Sequence, residues 1–230
     1  MYAAIKEEAF HCNMQLPALG LVLFTFGNVS VADRTKGVFA IKPSGLPYEE
    51  LSPEQMVIVD FDGNIVEGKL RPSSDTKTHA VLYKHWEIGG ITHTHSTYAT
   101  SWAQSQRDIP IFGTTHADHL TTDIPCAPPM SDEMIRGNYE YETGFQIINH
   151  FAAHHLDYNE VEMVLVGNHA PFAWGKDGQK SVYNSAVLEQ VAQMALLTEQ
   201  INPSAPRLKD ALIKKHYERK HGGNAYYGQK

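Results

Sequence analysis

The sequence has few cysteines, no excess of basic residues and no long apolar run, and each shortage excludes a class of protein. Only two cysteines, Cys12 and Cys126, occur among 230 residues, which excludes a disulfide-rich secreted domain and a four-cysteine zinc site. The 19 basic residues against 26 acidic ones give a net charge of -7, so no electrostatic footprint for nucleic acid is present. No stretch reaches about 18 consecutive apolar residues, which predicts a protein without membrane-spanning helices.

The amino terminus and the first apolar runs lack two further signals. Glu7 and Glu8 occur before any apolar run develops, which argues against a secretory signal. We therefore expect a cytoplasmic protein whose cysteines are both reduced. No glycine-rich fingerprint follows the first apolar, β-rich run, so a dinucleotide-binding fold is disfavoured.

Length and pattern predict one α/β domain over residues 1–230. The chain is long enough to bury one sizeable core and too short to require two domains. Turn-like segments at 33–37 and 62–64 separate apolar, β-rich runs and predict β-hairpins. Helical patterns lie between the groups of strands. We therefore expect a single layered domain with a central, mostly antiparallel sheet flanked by helices.

The predicted elements follow from apolar periodicity. Strands are predicted over residues 21–26, 37–41, 56–60, 65–67, 89–95, 161–166 and 171–174, and residues 110–112 are strand-like. Helices are predicted over residues 3–15, 75–86, 97–106, 132–155, 177–200 and 208–220. Asp75 stands where an N-cap is expected.

Histidine is abundant, with 13 residues, and it is both the commonest metal ligand and the usual acid-base side chain. His93 and His95 are two apart at a predicted strand end, where such residues face the same side about 6.5–7 Å apart. His169 follows another apolar run and is also expected at a strand end. Three histidines with an open fourth position are typical of a catalytic zinc site. Asp75 is a candidate fourth ligand or hydrogen-bond acceptor, unless it serves only as a helix cap.

A second histidine pair, His150 and His154, has a helical spacing that also permits metal binding. The predicted helix around this pair carries many polar residues, which favours a solvated face instead. His79 and His85 are interpreted as helix-surface or packing residues.

Three clusters of small residues before His93, at positions 27–30, 42–45 and 73–75, offer groups that bind phosphate. Each contains backbone N–H groups and short donors, and Lys42 adds the only cation. The serines of the third cluster precede a predicted helix, whose N-terminus favours anions. Each cluster alone is more often a turn or a cap, and none is a P-loop. The phosphate interpretation therefore depends on their convergence near a metal.

Two further segments offer acid-base groups. Residues 113–119 contain hydroxyls, imidazoles and the carboxylate of Asp118. The C-terminal segment contains Tyr226 and Tyr227, with His216 one or two helical turns earlier. Tyrosine acts as a general acid in a polarised environment, although a tyrosine near a terminus more often anchors that segment.

Six motifs together resemble the L-ribulose-5-phosphate 4-epimerases of the class II aldolase and epimerase superfamily. They are GNVS at 27–30, KPSG at 42–45, SSDT at 73–76, HTHS at 93–96, TTHAD at 114–118 and NAYYGQ at 224–229. The resemblance extends from about residue 10 to the C-terminus. The earlier motifs are shared with fuculose-phosphate and rhamnulose-phosphate aldolases, whereas the last two indicate the epimerases.

The resemblance implies a role for each matched position. The ligands of one zinc ion per subunit, or of another divalent ion, would be His93, His95 and His169, with Asp75 nearby. The phosphate would be held by Asn28, Lys42, Ser44, Gly45, Ser73 and Ser74. The acid-base pair would be Asp118 and Tyr227. The site would be lined or supported by Thr114, Glu140, His216 and Arg219.

The resemblance also implies an assembly and a reaction. Family members form cyclic homotetramers with active sites at subunit interfaces, so the C-terminal segment would reach a neighbour's zinc. The reaction would interconvert L-ribulose 5-phosphate and D-xylulose 5-phosphate, in L-arabinose or L-ascorbate catabolism. Carbon C4 is not adjacent to the C2 carbonyl, so inversion would proceed by retro-aldol cleavage of the C3–C4 bond and re-addition, with zinc as the Lewis acid.

One position departs from the family pattern, and three alternatives remain. His119 follows Asp118 where an aromatic residue is expected, and it would raise or lower the basicity of Asp118. The nearest alternative is a metal-dependent aldolase of the fuculose- or rhamnulose-phosphate type, which releases both fragments. A non-catalytic relative such as the adducin head domain needs no metal ligands. A zinc hydrolase is disfavoured because no water-activating carboxylate stands beside the histidine pair.

Overall fold

The computed structural model describes residues 1–223 and 225–226. Its strands are β1 (Asn28–Asp33), β2 (Val38–Ile41), β3 (Val57–Asp60), β4 (Ile65–Glu67), β5 (Gly90–His93), β6 (Cys126–Ala127), β7 (Met163–Val166) and β8 (Pro171–Gly175). Its α-helices are α1 (Ala3–Ala18), α2 (Thr76–His85), α3 (Thr97–Gln104), α4 (Thr114–Ala117), α5 (Asp132–Arg136), α6 (Tyr139–Ala153), α7 (Gly178–Ile201) and α8 (Asp210–His221). The predicted acid-base residue Tyr227 lies outside the described residues.

The strands form one eight-stranded sheet in the order β4-β3-β2-β1-β5-β8-β7-β6. The pairing of β6 with β7 is parallel, and the other six pairings are antiparallel. The predicted α/β fold with a central, mostly antiparallel sheet flanked by helices is therefore confirmed. Within the described part of the chain, every helix is too short or too polar to cross a membrane.

Both faces of the sheet are buried under helices. Side chains alternate along a strand, so β2 places Phe39 and Ile41 in the larger hydrophobic cluster and Val38 and Ala40 in the smaller one. The larger cluster includes side chains of α2, α3, α6 and α7, and the smaller one packs under α1. The central strands are thereby held rigidly from both sides.

Three predicted elements are wrong. Residues 21–26 form no strand, because Phe26 N–H donates to the Leu23 carbonyl at 3.0 Å and closes a turn before β1. The single helix expected over 132–155 is two helices, because Gly137 N–H donates to Glu133 and Met134 carbonyls and ends α5. Residues 110–112 lie in no strand, and only the preceding Ile109 makes an isolated bridge.

The buried side-chain amide of Asn13 joins α1 to the start of β1, next to Asn28. Strand β2 pairs with β1 only from Ser30 onward, which leaves the backbone of Val29 without a strand partner on that side. Asn13 Nδ2 donates to Val29 O at 2.8 Å, and Val29 N–H donates to Asn13 Oδ1 at 2.9 Å. The side chain therefore completes the ladder where the neighbouring strand ends.

We expect Asn13→Ala to lower the free energy of unfolding by about 2–4 kcal/mol, because two buried backbone groups lose their partners. Urea unfolding at one fixed protein concentration measures this change. The control is Gln15→Ala, which removes an exposed hydrogen bond to Gln179 and should change stability by less than about 0.5 kcal/mol. An Asn13→Ala midpoint equal to that of the control would contradict this account.

Candidate metal and phosphate site

Two segments bring the three predicted metal ligands together. His93 ends β5, His95 lies two residues beyond it, and His169 lies in the turn between β7 and β8. One ligand nitrogen of each ring lies within 4.8 Å of the other two. In the turn, Asn168 has a φ of 60°, and its N–H donates to Ala103 O of α3 at 3.0 Å. The arrangement lets one ion contact all three rings.

Hydrogen bonding fixes which nitrogen of His93 is free. Its Nδ1 lies 2.9 Å from Pro171 O, and a carbonyl oxygen only accepts, so Nδ1 carries the proton and Nε2 keeps its lone pair. The ring also stacks on Phe172, with centroids 4.1 Å apart. Nδ1 of His169 is buried with no hydrogen-bond partner among the described residues. Free imidazole nitrogens gathered at one point fit a divalent transition metal.

Burial favours the neutral rings of His95 and His169. Desolvation lowers the pKa of His169 to about 3, and the neighbouring His93 and His95 act in the same direction. Desolvation also lowers the pKa of His95. A metal ligand must be deprotonated, so at neutral pH these rings bind an ion without first losing a proton.

Asp75 precedes α2 but does not cap it. Its carboxylate makes no hydrogen bond to the helix N-terminus, so the helix-cap interpretation is wrong. Oδ2 accepts from Asn28 Nδ2 at 2.7 Å and from Ser73 Oγ at 3.3 Å. Burial raises the pKa of this carboxyl, but His93, His79 and the Asn28 hydrogen bond outweigh burial and lower it. Asp75 is not part of the three-histidine cluster, which favours an anionic neighbour over a fourth ligand.

A cavity of about 510 Å³ opens beside the histidines. All six predicted phosphate-binding residues line it, namely Asn28, Lys42, Ser44, Gly45, Ser73 and Ser74. Backbone hydrogen bonds join two of the loops, from Ser44 N–H to Arg71 O at 2.9 Å and from Ser73 N–H to Lys42 O at 3.0 Å. The three small-residue clusters therefore converge beside the histidines, as the phosphate hypothesis requires.

Lys42 is a buried cation without a carboxylate partner among the described residues. The residue is 1% exposed, and its Nζ donates to Leu46 O at 2.6 Å. The same atom lies 4.8 Å from the centroid of the Tyr48 ring. Burial lowers the pKa of Lys42 to about 8. Because a buried charge is costly unless paired, an anion in this cavity would stabilise the cation and raise its pKa.

The amide of Asn28 is oriented by its neighbours. Nδ2 donates to Ser73 Oγ at 3.1 Å and to Asp75 Oδ2 at 2.7 Å. The flipped amide would place its oxygen against the Asp75 carboxylate, so the observed orientation is the favourable one. Oδ1 of Asn28 is buried with no partner in the described part of the chain. A phosphate oxygen accepts hydrogen bonds, and both hydrogens of Asn28 Nδ2 are already donated. Asn28 would therefore contact a phosphate directly only after its hydrogen bond to Ser73 Oγ breaks.

The cavity also contains residues that sequence analysis missed. Tyr139, at the start of α6, lines it together with the predicted Glu140, and its ring lies 6.0 Å from that of His169. Phe26 lines the other side, 6.5 Å from the His95 ring. Neither belongs to a chemical motif. The glycine at position 27 was the sequence signal for a tight backbone beside Phe26. The structure requires a glycine there, since its φ is 71° and a Cβ would lie 2.9 Å from His93 O.

Four other predicted site residues do not line this cavity, namely Thr114, Asp118, His216 and Arg219. Asp118 follows α4, and its carboxylate accepts from Arg219 Nε and His216 Nδ1, each at 2.9 Å, and from Arg219 Nη2 at 2.6 Å. Burial raises the pKa of Asp118, but these hydrogen bonds and Lys220 lower it below its usual value. Thr114 begins α4. This ion-paired cluster fastens α8, and so the start of the C-terminal segment, to α4.

The remaining histidines have other surroundings. The ring of His119 packs 5.6 Å from Tyr183, and burial lowers its pKa to about 4, so it is neutral beside Asp118. The rings of His150 and His154 lie 4.4 Å apart, but among the described residues no third ligand completes that pair. His150 is half-buried, so the predicted solvated face applies only to His154.

Comparison with known proteins places this geometry in context. Residues 7–196 match the model of the class II aldolase and adducin N-terminal domain. The L-ribulose-5-phosphate 4-epimerase UlaF of Salmonella paratyphi B is 49% identical over 227 residues, covering 98% of this chain and 99% of that protein. UlaF of Salmonella typhi has the same identity and coverage. A solved L-fuculose 1-phosphate aldolase superposes with a TM-score of 0.77 at 25% identity, covering 94% of this chain and 95% of that one.

We expect inorganic phosphate to bind more weakly above about pH 8, where Lys42 loses its proton. Phosphate itself gains negative charge as the pH rises, so a loss of affinity reports the cation and not the ligand. Lys42→Met should weaken binding about 10- to 100-fold at neutral pH and remove the loss above pH 8. Isothermal titration across this pH range measures both effects. Lys36→Met, at an exposed ion pair with Asp33, is the control, and a Lys42→Met profile matching it would contradict the assignment.

Proposed function

This chain belongs to the family of class II aldolases and adducin N-terminal domains, and we propose that it is an L-ribulose-5-phosphate 4-epimerase with one zinc or other divalent ion per subunit. The observation that carries the proposal is the convergence of three histidines and a buried lysine on one cavity. Among the described residues, this lysine has no carboxylate partner. A metal at one end and a cation at the other suit a sugar phosphate. The 49% identity to 4-epimerases over nearly the whole chain supports this substrate over other sugar phosphates.

The chemistry needs a C–C bond to break. The hydrogen on C4 is not acidic, because C4 is not adjacent to the C2 carbonyl, so C4 inverts by cleavage of the C3–C4 bond and re-addition to the other face. A divalent ion at the histidines supplies Lewis-acid stabilisation of negative charge on substrate oxygens. Lys42, Ser44 and Ser73 hold the phosphate of the aldehyde fragment while its carbonyl turns over. Retention of that fragment separates an epimerase from an aldolase.

Two acid-base groups on opposite faces complete the reaction. The C4 hydroxyl loses a proton when the bond breaks and regains one after re-addition from the other side. We assign these transfers to Asp118 and Tyr227. Asp118 does not line the cavity of its own chain, which supports a site shared between two subunits of a homotetramer. His216 and Arg219 then orient Asp118, and Thr114 and Glu140 line the site.

The likeness to a solved L-fuculose 1-phosphate aldolase favours a second candidate, an aldolase that releases both fragments. The same metal and phosphate groups serve that reaction equally well. The 4-epimerase relatives are 49% identical and the aldolase 25%, so the epimerase is preferred. A non-catalytic adducin-like role has no use for three converging histidines.

Metal-replete protein should convert L-ribulose 5-phosphate to D-xylulose 5-phosphate without net release of aldehyde. A chelator should abolish the conversion and added zinc should restore it, because the histidines then regain their ion. Coupled assays for D-xylulose 5-phosphate and for free glycolaldehyde phosphate measure both products. Accumulation of the free aldehyde would favour the aldolase instead, and no conversion by the metal-replete protein would refute the epimerase.

Mixing two inactive variants tests whether the site is shared. His93→Asn removes a metal ligand, and Tyr227→Phe removes an acid-base group. In mixed cyclic oligomers, about one quarter of the interfaces should pair an intact metal site with an intact tyrosine, and turnover should recover to that fraction. The measurement is the rate after the two variants are dissociated and reassembled together. Each variant reassembled alone is the control, and a mixture no more active than these would contradict the shared site.

A further inference from the structure

A tyrosine of the metal and phosphate cavity has no task in the proposed chemistry. Tyr139, the first residue of α6, lines the cavity and is half-buried. Its backbone carbonyl accepts from Thr143 Oγ1 at 2.9 Å, but among the described residues its hydroxyl makes no hydrogen bond. A phenol hydroxyl both donates and accepts, so this group is available to a polar atom of a bound ligand.

The order of the strands arranges the cavity from its cation to its metal ligands. Lys42 directly follows β2, Asn28 begins β1 and His93 ends β5. These strands are neighbours in that order, and β8 and β7 lie beyond β5. His169 lies in the turn that joins β7 to β8. Neighbouring strands are about 4.8 Å apart, so the backbones of Lys42 and His169 lie at opposite ends of a row roughly 10–15 Å long.

Helix α6 places Tyr139 at the metal end of this row. The helix packs against α2, β6 and β7, and β6 and β7 lie on the far side of β5 from β2. Thr78 Oγ1 of α2 donates to Glu140 O at 2.6 Å, which holds the first turn of α6 in place. The ring of Tyr139 lies 6.0 Å from that of His169. Followed from Lys42, the cavity therefore reaches Tyr139 at its histidine end.

The proposed function fixes the direction in which a substrate lies along this row. Its phosphate, on C5, is held at the Lys42 end, and the oxygens on C2 and C3 are those that an ion at the histidines would stabilise. The bond that breaks, between C3 and C4, lies between these two groups. C1 is therefore the carbon beyond the metal ligands, and its hydroxyl extends towards the end of the cavity that contains Tyr139.

We propose that the hydroxyl of Tyr139 binds the C1 hydroxyl of the sugar phosphate and so selects ketoses that carry a hydroxymethyl group next to the carbonyl. The inference rests on the proposed function, from which it takes the substrate and its direction. A site built to hydrogen-bond a substrate hydroxyl rejects an analogue that lacks it, because the protein group is then left without a partner. The C1 hydroxyl takes no part in cleavage or re-addition, so Tyr139 determines specificity and does not transfer the proton.

Two substrates that differ only in the C1 hydroxyl test this assignment. The reaction is followed from D-xylulose 5-phosphate and from 1-deoxy-D-xylulose 5-phosphate, and the C4 epimer of each is measured by NMR. We expect Tyr139→Phe to lower kcat/KM for D-xylulose 5-phosphate about 10-fold. The loss should come mainly from a higher KM, because this contact is the same in the ground state and the transition state. For the 1-deoxy analogue the change should stay below about twofold, since the hydroxyl that Tyr139 binds is absent.

A second tyrosine on the same helix supplies the matched control. Tyr141 is 43% exposed, its ring packs 5.0 Å from Phe145, and it lines a different cavity. Tyr141→Phe removes the same atom and should leave kcat and KM for both substrates unchanged. Metal content and circular dichroism of both variants should equal those of the unmodified protein, because among the described residues neither hydroxyl has a hydrogen bond to lose.

The outcomes separate this inference from the proposed function. A loss confined to the substrate with the C1 hydroxyl supports the assignment. Equal losses on both substrates would overturn it, because Tyr139 would then serve a step or a contact that the two share. A Tyr139→Phe protein that matches the control on both substrates would overturn it as well and leave the epimerase intact. Failure of the unmodified, metal-replete protein to convert D-xylulose 5-phosphate would refute the proposed function and this assignment with it.

Discussion

The register of three neighbouring strands is the constraint on which the site depends. Asn28 of β1 pairs with His93 of β5, and His93 pairs with Phe172 of β8. This row places the His93 ring on Phe172 and brings Asn28, with its bond to Asp75, to the edge of the cavity. A slip of one residue would turn His93 to the opposite face. Two buried layers prevent that slip, so packing far from the cavity maintains its geometry.

The affinity for a phosphate that we propose would come from local electrostatics and not from the charge of the whole chain. The net charge of -7 repels an anion at long range. The cavity would offset this repulsion with Lys42, a cation removed from water without a carboxylate partner in the described part of the chain. Its lowered pKa expresses the free-energy cost of that burial. An anionic ligand would recover this cost, so a lysine that weakens the empty fold would strengthen the proposed complex.

The sequence predicted the central elements well because the site lies at strand ends, where apolar runs stop at polar residues. His93 and His169 were identified in this way, and the loop of Lys42 was identified by its small residues and its cation. The strand predicted over 21–26 was wrong, because an apolar run does not reveal that Phe24 turns left-handed. Tyr139 was missed because its place depends on how α6 packs. The ion pairs of Asp118 join positions about a hundred residues apart, and no local pattern predicts such a contact.

The division of the catalytic set between two surfaces, which we propose, follows from what each half must do. Metal and phosphate ligands need fixed positions, and a sheet buried on both faces supplies them. The proton-transfer groups must approach a bound substrate from the open side, which β-strands at the cavity floor cannot do. Arg219 and His216 hold Asp118 on a separate helix pair, and in one chain its carboxylate does not line the cavity of the histidines. In the shared site that we propose, assembly would bring the two halves together, so turnover would depend on the subunit interface.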